Sequence, residues 1–265
     1  MTAEAGATVS AYLTSLIVGQ NGTTFADGMK VIGKLDWSQA ALEAFDVSED
    51  VTIGFSNKGN YGEVSLSAVS GKIGRHLTVG DSVAESAGRL ELHGTHLEVG
   101  GDVAIALTGR IKVLATGDGT SGLLLSNASS LAITAFGSGT GDEEAGYFID
   151  FTGADFSGEG LHYGLAWEGD HSGELQSLID SFAITWINPL EGPQAGLYYD
   201  SSANLTYIGV ATIPEPGVTS LLLAAAALAG WAGLSRNAVH LKRPWRGSAW
   251  RADLRVLRGA GDGGE

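Results

Sequence analysis

Cysteine is missing from this sequence altogether. Its absence excludes disulfides, thiolate metal sites and a cysteine nucleophile. Proline is nearly as scarce, at 5 residues in 265, and charged residues reach only 17%. A chain this poor in proline and charge, and 44% hydrophobic, is not an intrinsically disordered sequence. Nor is it collagen-like, because its 40 glycines keep no Gly-x-x period. Glycine used so heavily between short apolar segments predicts many short strands joined by tight turns.

Basic residues are few where most of the chain lies. Residues 1–213 hold 8 Lys and Arg against 26 Asp and Glu, a net charge of −18. Residues 214–265 hold 7 against 4, a net charge of +3. An acidic body repels nucleic acid and anionic lipid, so no nucleic-acid partner is expected. Acidity of this kind keeps a body soluble, and no cofactor is expected; the alternative is a Ca²⁺-binding surface, because Ca²⁺ prefers carboxylate and carbonyl oxygens.

Several catalytic signatures are also lacking. No G-x-S-x-G elbow and no G-x-x-x-x-G-K-[ST] loop occurs. His93-Gly94-Thr95-His96 has an H-x-x-H spacing, but on a strand positions i and i+3 face opposite ways, which separates the two imidazoles. Asp142-Glu143-Glu144 lacks the alternating ligands of a calcium loop. Asp150, Asp155, Glu159, Glu168 and Asp170 are dense enough to supply a glycosidase pair, although no spacing fixes their separation. Trp167, Trp186, Tyr198 and Tyr199 suit either stacking on sugar rings or ordinary packing. The expectation is a protein without catalytic residues, with a carbohydrate-active enzyme or polysaccharide-binding module on a β-solenoid as the alternative.

What is present begins at the C-terminal end. Val218–Leu234 reads VTSLLLAAAALAGWAGL, 17 residues without a charge. As a helix it would be roughly 25 Å long, the short end of what crosses a bilayer. Val218, Leu221, Leu222, Leu223, Leu228 and Leu234 supply its apolar surface, and Trp231 sits near the distal end, where indole favours headgroups. Arg236, Lys242 and Arg243 follow, which keeps the C-terminal side cytoplasmic and places residues 1–213 outside. Just ahead stands Pro214-Glu215-Pro216, an extended, structure-breaking handle beside the membrane.

This order of features resembles the PEP-CTERM sorting signal over residues 214–236. The resemblance implies that Pro214, Glu215 and Pro216 form the recognition motif, Val218–Leu234 the anchor and Arg236 the start of the basic stop. It also implies export, processing by an exosortase, a place in the cell envelope or at the cell surface, and a setting of extracellular polysaccharide and biofilm. The chain opens Met1-Thr2-Ala3-Glu4-Ala5-Gly6 with no Lys or Arg before Lys30, so an export signal is expected upstream. Residues 237–265 are expected to be a basic, disordered tail.

In the body, apolar–x–apolar–Gly recurs at Leu16–Gly19, Val51–Gly54, Leu77–Gly80 and Leu97–Gly100, the interval between glycines falling from 35 to 26 to 20 along the chain. Around residues 88–105, Leu90 and Leu92 share one strand face while Arg89, Glu91 and His93 share the other. The fold class expected is all-β: an irregular parallel β-solenoid over residues 1–145, with an antiparallel β-sandwich as the alternative. A coil spacing of about 20 residues and the glycine corners favour the solenoid. The repeats also resemble, in composition, the glycine-rich passengers of autotransporter-type surface proteins. One short amphipathic helix is expected at residues 36–45, with Asp36 as N-cap and Trp37, Ala41, Leu42 and Phe45 on one face. Residues 146–213, richer in aromatics, are expected to form a terminal β-subdomain that closes the stack.

Overall fold

The computed structural model describes residues 2, 8–19, 32–54, 61–67, 70–82, 87–117, 121–134, 145–154, 156, 162–189 and 194–210. All of them lie within the compact unit Met1–Ile213. The sorting motif Pro214-Glu215-Pro216, the run Val218–Leu234, Arg236, Lys242 and Arg243 lie outside the described residues. Among those described, no helix is long and apolar enough to cross a membrane.

Strands make up 64% of the described residues. They come in rounds of three: β1 (Thr8–Leu13), β2 (Leu16–Val18), β3 (Ile32–Trp37); then β4 (Ala41–Val47), β5 (Val51–Ile53), β6 (Tyr61–Ser67). The third round is β7 (Ser70–Ile73), β8 (Leu77–Val79), β9 (Ala87–His93), and the fourth β10 (His96–Val99), β11 (Val103–Ile105), β12 (Gly109–Gly117). A fifth holds β13 (Gly122–Leu125), β14 (Leu131–Ile133) and β15 (Gly146–Ala154). The chain then runs through β16 (His162–Glu168), helix α1 (Ser172–Asp180), β17 (Ile184–Ile187), β18 (Gly196–Asp200) and β19 (Leu205–Val210).

Strands three apart in the chain pair side by side, except that β15 pairs with β17 and β18 with β19. The result is an eight-stranded sheet ordered β1-β4-β7-β10-β13-β16-β19-β18, a five-stranded sheet β14-β11-β8-β5-β2, and a six-stranded sheet β17-β15-β12-β9-β6-β3. Among the described residues the named strands pair in parallel everywhere except β16–β19 and β18–β19, which are antiparallel. This topology is compatible with a solenoid-like fold and differs from an antiparallel sandwich, whose sheets would contain reversed neighbours throughout.

Register gives the spacing. Val51 pairs with Leu77 and Leu77 with Val103, the same advance of 26 residues that separates Asp50 from its bonded partner His76. A uniform coil spacing of about 20 residues is therefore corrected: the advance is 26 here and 35 from β2 to β5, and falls to 21 from β9 to β12. Leu16–Gly19, Val51–Gly54 and Leu77–Gly80 are equivalent pieces of the five-stranded sheet, whereas Leu97–Gly100 belongs to β10 in the eight-stranded one. The true successor of Leu77–Val79 is Val103–Ile105. Two look-alike segments from different sheets produced the shorter interval.

Glycine fills one corner in each of the first three rounds. Gly19, Gly54 and Gly80 end β2, β5 and β8 with φ of +74°, +71° and +81°, a region that L side chains rarely adopt. Opposite them stand Gly62, Gly88 and Gly109 of the six-stranded sheet. A Cβ on Gly88 would come within 2.3 Å of the Gly80 nitrogen, and one on Gly109 within 2.0 Å of the Val79 oxygen. Backbone meets backbone here with no room for a methyl group.

Between the corners, alternation sends one set of side chains inward. Leu90 and Leu92 are buried while Arg89, Glu91 and His93 face out, as the sequence pattern predicts. Each round stacks its apolar residues on the next, so Leu66, Leu92, Val113 and Ile149 form one continuous row across four strands. Each such buried side chain contributes roughly 1.5–3 kcal/mol relative to exposure.

The helix expected at residues 36–45 is not formed. β3 ends at Trp37, a turn covers residues 38–40, and β4 begins at Ala41. Asp36 is a turn former instead of an N-cap: its carboxylate accepts from the Ser38 N–H at 3.2 Å and the Ser38 hydroxyl at 2.7 Å. Trp37 and Phe45 are both buried and meet edge-on, with ring centroids 6.4 Å apart. Interior stacking across two strands overrides the helical preference of the intervening alanines. The one helix among the described residues is α1, which buries Leu175.

Candidate functional site

With the interior closed by packing, function falls to the outer faces and corners. Three surfaces carry clustered polar groups. The outer face of the six-stranded sheet holds Lys34, Arg89, Arg110 and Lys112, half the basic residues of the body. Acidic neighbours share that face. Lys34 Nζ lies 2.7 Å from a Glu63 oxygen, and the Tyr61 hydroxyl donates to Glu63 at 2.6 Å. The Arg89 guanidinium sits 5.5 Å from the centre of the Tyr61 ring, and Arg110 5.8 Å from that of Phe148. Burial and the Glu63 carboxylate push the Tyr61 phenol up to about 12, so it donates at any physiological pH. Charge on this face is largely balanced from within.

The second surface is a corner column. Asp50, His76, Asp102 and Ser130 each immediately precede a strand of the five-stranded sheet. The Asp50 carboxylate accepts from the His76 N–H at 3.2 Å, the His76 imidazole Nδ1 accepts from the Asp102 N–H at 3.1 Å, and Asp102 accepts from the Ser130 N–H and hydroxyl at 2.9 and 2.8 Å. The Ser130 bonds hold the Asp102 carboxyl below the usual range. Each polar group here is used to tie one round to the next.

The third is an open groove of about 570 Å³ at the start of the eight-stranded sheet. Tyr12, Asp46, Lys72 and Glu98 lie in register across four parallel strands on its outer face. Lys72 is paired with Glu98 at 3.3 Å, which leaves Asp46 without a side-chain partner among the described residues. Tyr12 is 72% exposed. Thr14 and Ser48 form the rim at the corner, and Gly74 lies beside them; a Cβ there would fall 2.1 Å from the Ser48 oxygen.

The residues singled out from sequence fall elsewhere. His93 ends β9 and His96 begins β10, on two different sheets across the corner at Gly94, so they share no face. His93 Nε2 lies 3.4 Å from Glu91, and His96 Nδ1 lies 3.2 Å from the Tyr163 hydroxyl. Asp142, Glu143, Glu144, Asp155 and Glu159 lie outside the described residues. Asp150 and Asp170 each accept from the N–H and hydroxyl of the residue two places on, Thr152 and Ser172. Glu168 accepts from the Asn127 N–H at 3.2 Å. Among the described residues no group of three or more His, Asp or Glu is placed to hold a metal ion.

Of the four aromatics named for sugar stacking, Trp167 is buried, its ring 3.9 Å from that of His171 and its N–H donating to the Ser126 carbonyl. Tyr198 packs on Tyr207 at 5.6 Å, and Trp186 is half-buried. Tyr199 is exposed, with its hydroxyl donating to Asn204. Sequence reasoning passed over Tyr12, although the signal was there: in Thr8–Leu13 the alternation that sends Val9, Ala11 and Leu13 to one face sends Tyr12 to the other. Comparison with protein-family models, with curated proteins and with solved structures finds no match to this chain.

Proposed function

We propose that this chain is an exported bacterial cell-surface or extracellular-matrix protein, sorted through residues 214–236 as an exosortase substrate, with a structural or adhesive role. The observation that carries the reading is the order Pro214-Glu215-Pro216, an uncharged 17-residue run, then Arg236. The run anchors the chain in the membrane and the basic residues hold its far end in the cytoplasm. The body is then an irregular parallel β-solenoid with a terminal β-subdomain, displayed outside the membrane, where extracellular polysaccharide is its partner.

Expression in a bacterium that encodes an exosortase, with and without that gene, tests the reading. The chain should co-sediment with membranes when exosortase is deleted and shift to a smaller, surface-exposed form when it is present. Replacing Pro214, Glu215 and Pro216 with alanine should block that shift. Identical size and cytosolic fractionation in all three strains would discard the assignment.

A further inference from the structure

We propose that the groove at Tyr12 is a binding subsite for an internal segment of a neutral glycan. The inference rests on the surface reading for its polysaccharide partner, while its chemistry is that of the groove itself. A pyranose ring presents C–H bonds on one face and hydroxyls around its rim. It needs an exposed aromatic plane with hydrogen-bonding groups at the edge, and the groove has that composition. Tyr12 is the most exposed aromatic ring among the described residues of the eight-stranded sheet, at 72%. A tyrosine provides a large, rigid contact area that loses little conformational freedom on binding.

Asp46 stands next to it in register, with its carboxylate oxygens not engaged by a described side chain and therefore open to accept sugar hydroxyls. Ser48 and Thr14 add hydroxyls on the rim. Gly74 leaves the adjoining corner bare, since a side chain there would collide with the Ser48 carbonyl. The volume of about 570 Å³ falls within the range of roughly 300–1,000 Å³ typical of small-ligand clefts. Because the groove is open to solvent, it suits an internal stretch of a longer chain better than a single enclosed sugar.

Charge selects among glycans. A uronate or sulfated polymer would bring its anions against Asp46 and a body of net charge −18. Lys72 offers little relief, because Glu98 already holds it. The six-stranded face, where arginines gather, is balanced by its own carboxylates. A neutral chain avoids that repulsion and uses the carboxylate as an acceptor.

Affinity electrophoresis of the full-length chain in detergent provides the test, with gels cast in hydroxyethylcellulose, galactomannan or dextran, and in alginate as the anionic control. The expected result is retardation by at least one neutral polymer and none by alginate. Tyr12→Ala should weaken that retardation about tenfold, the change in affinity equivalent to losing one good contact. Tyr12→Phe should keep it within about threefold, and Asp46→Asn should weaken it less than Tyr12→Ala does. Tyr199→Ala, at the exposed tyrosine of β18, should leave it unchanged, and matching thermal midpoints show that each variant is folded. Retardation by none of the three neutral polymers, stronger retardation by alginate, or equal retardation of Tyr12→Ala would each overturn the proposal. These outcomes are independent of the membrane fractionation above, so the subsite and the sorting assignment can fail separately.

Discussion

Tyr147 shows how much one polar atom can matter inside an apolar stack. Its side chain is fully buried between the sheets, and its hydroxyl donates to the Gly164 carbonyl at 2.6 Å while accepting from the Leu123 N–H at 3.4 Å. Burial raises its pKa far above the usual phenol value, so it stays a neutral donor. Tyr147→Phe keeps the ring and strands both backbone groups. A loss of about 1–3 kcal/mol is expected in urea unfolding, with no change in the denaturant slope. This role was hidden in the sequence, where Tyr147 is one aromatic among several and the partner lies 17 residues on.

His96 has a related dependence on pH. Burial holds its imidazole below the usual range, and nearby Glu98 only partly offsets that. Below about pH 6.5 the unfolded chain therefore takes up a proton more readily than the folded one, so stability rises with pH across that window. His96→Gln should flatten the slope of unfolding free energy between about pH 5 and pH 7, measured by urea titration at each pH. An unchanged slope would mean that the ring titrates freely.

At the scale of strands and turns, two kinds of glycine can be told apart. Gly62 lies where a Cβ would sit 2.4 Å from both the Gly54 nitrogen and the Val18 oxygen. Gly62→Ala must move backbone, and should cost about 1–3 kcal/mol. Gly173, in the first turn of α1, has nothing within 4 Å of an added Cβ. There the same substitution should stabilise by up to about 1 kcal/mol, because alanine loses less backbone entropy. Thermal melts of the two variants should therefore move in opposite directions.

The strand elements were legible because alternation and the apolar–x–apolar–Gly ending are local. Pairing was not, because which of two similar segments shares a sheet depends on how many residues the intervening corner takes up. Leu97–Val99 and Val103–Ile105 are equally good strands, and only the fold assigns them to different sheets. The helix expected at residues 36–45 failed for a related reason. Trp37 and Phe45 are spaced for one helical face, yet they are equally suited to meet across a three-residue turn. Asp-x-Ser/Thr was the clue: Asp36, Asp150, Asp170 and Asp200 all accept from the N–H and hydroxyl two residues on.

For the molecule as a whole, those turns account for part of the acidic excess. Hydrogen bonds from Ser38, Ser130, Ser172 and Ser202 lower the carboxyl pKa values of Asp36, Asp102, Asp170 and Asp200. A depressed carboxylate stabilises the fold above its unfolded value, and that contribution is lost as pH falls through the folded one. Acid therefore acts together on three turns and on the Asp102–Ser130 tie between rounds. The uncompensated charge of the body acts the other way, through repulsion that salt screens over about 10 Å at 0.1 M.

In the five-stranded sheet the advance from β5 to β8 and from β8 to β11 is the same, so each layer there presents to its successor the same kind of surface that it receives from its predecessor. Duplication or loss of one whole unit would thus leave both flanking layers with a familiar neighbour, while the corners absorb other lengths, since Arg89 pairs with Arg110 after 21 residues and Lys112 with Phe148 after 36 and the inward side chains stay in phase. Evolution can adjust the height of such a column in discrete steps, with Tyr12 at one extremity and the reversed strands β18 and β19 near the other both left intact.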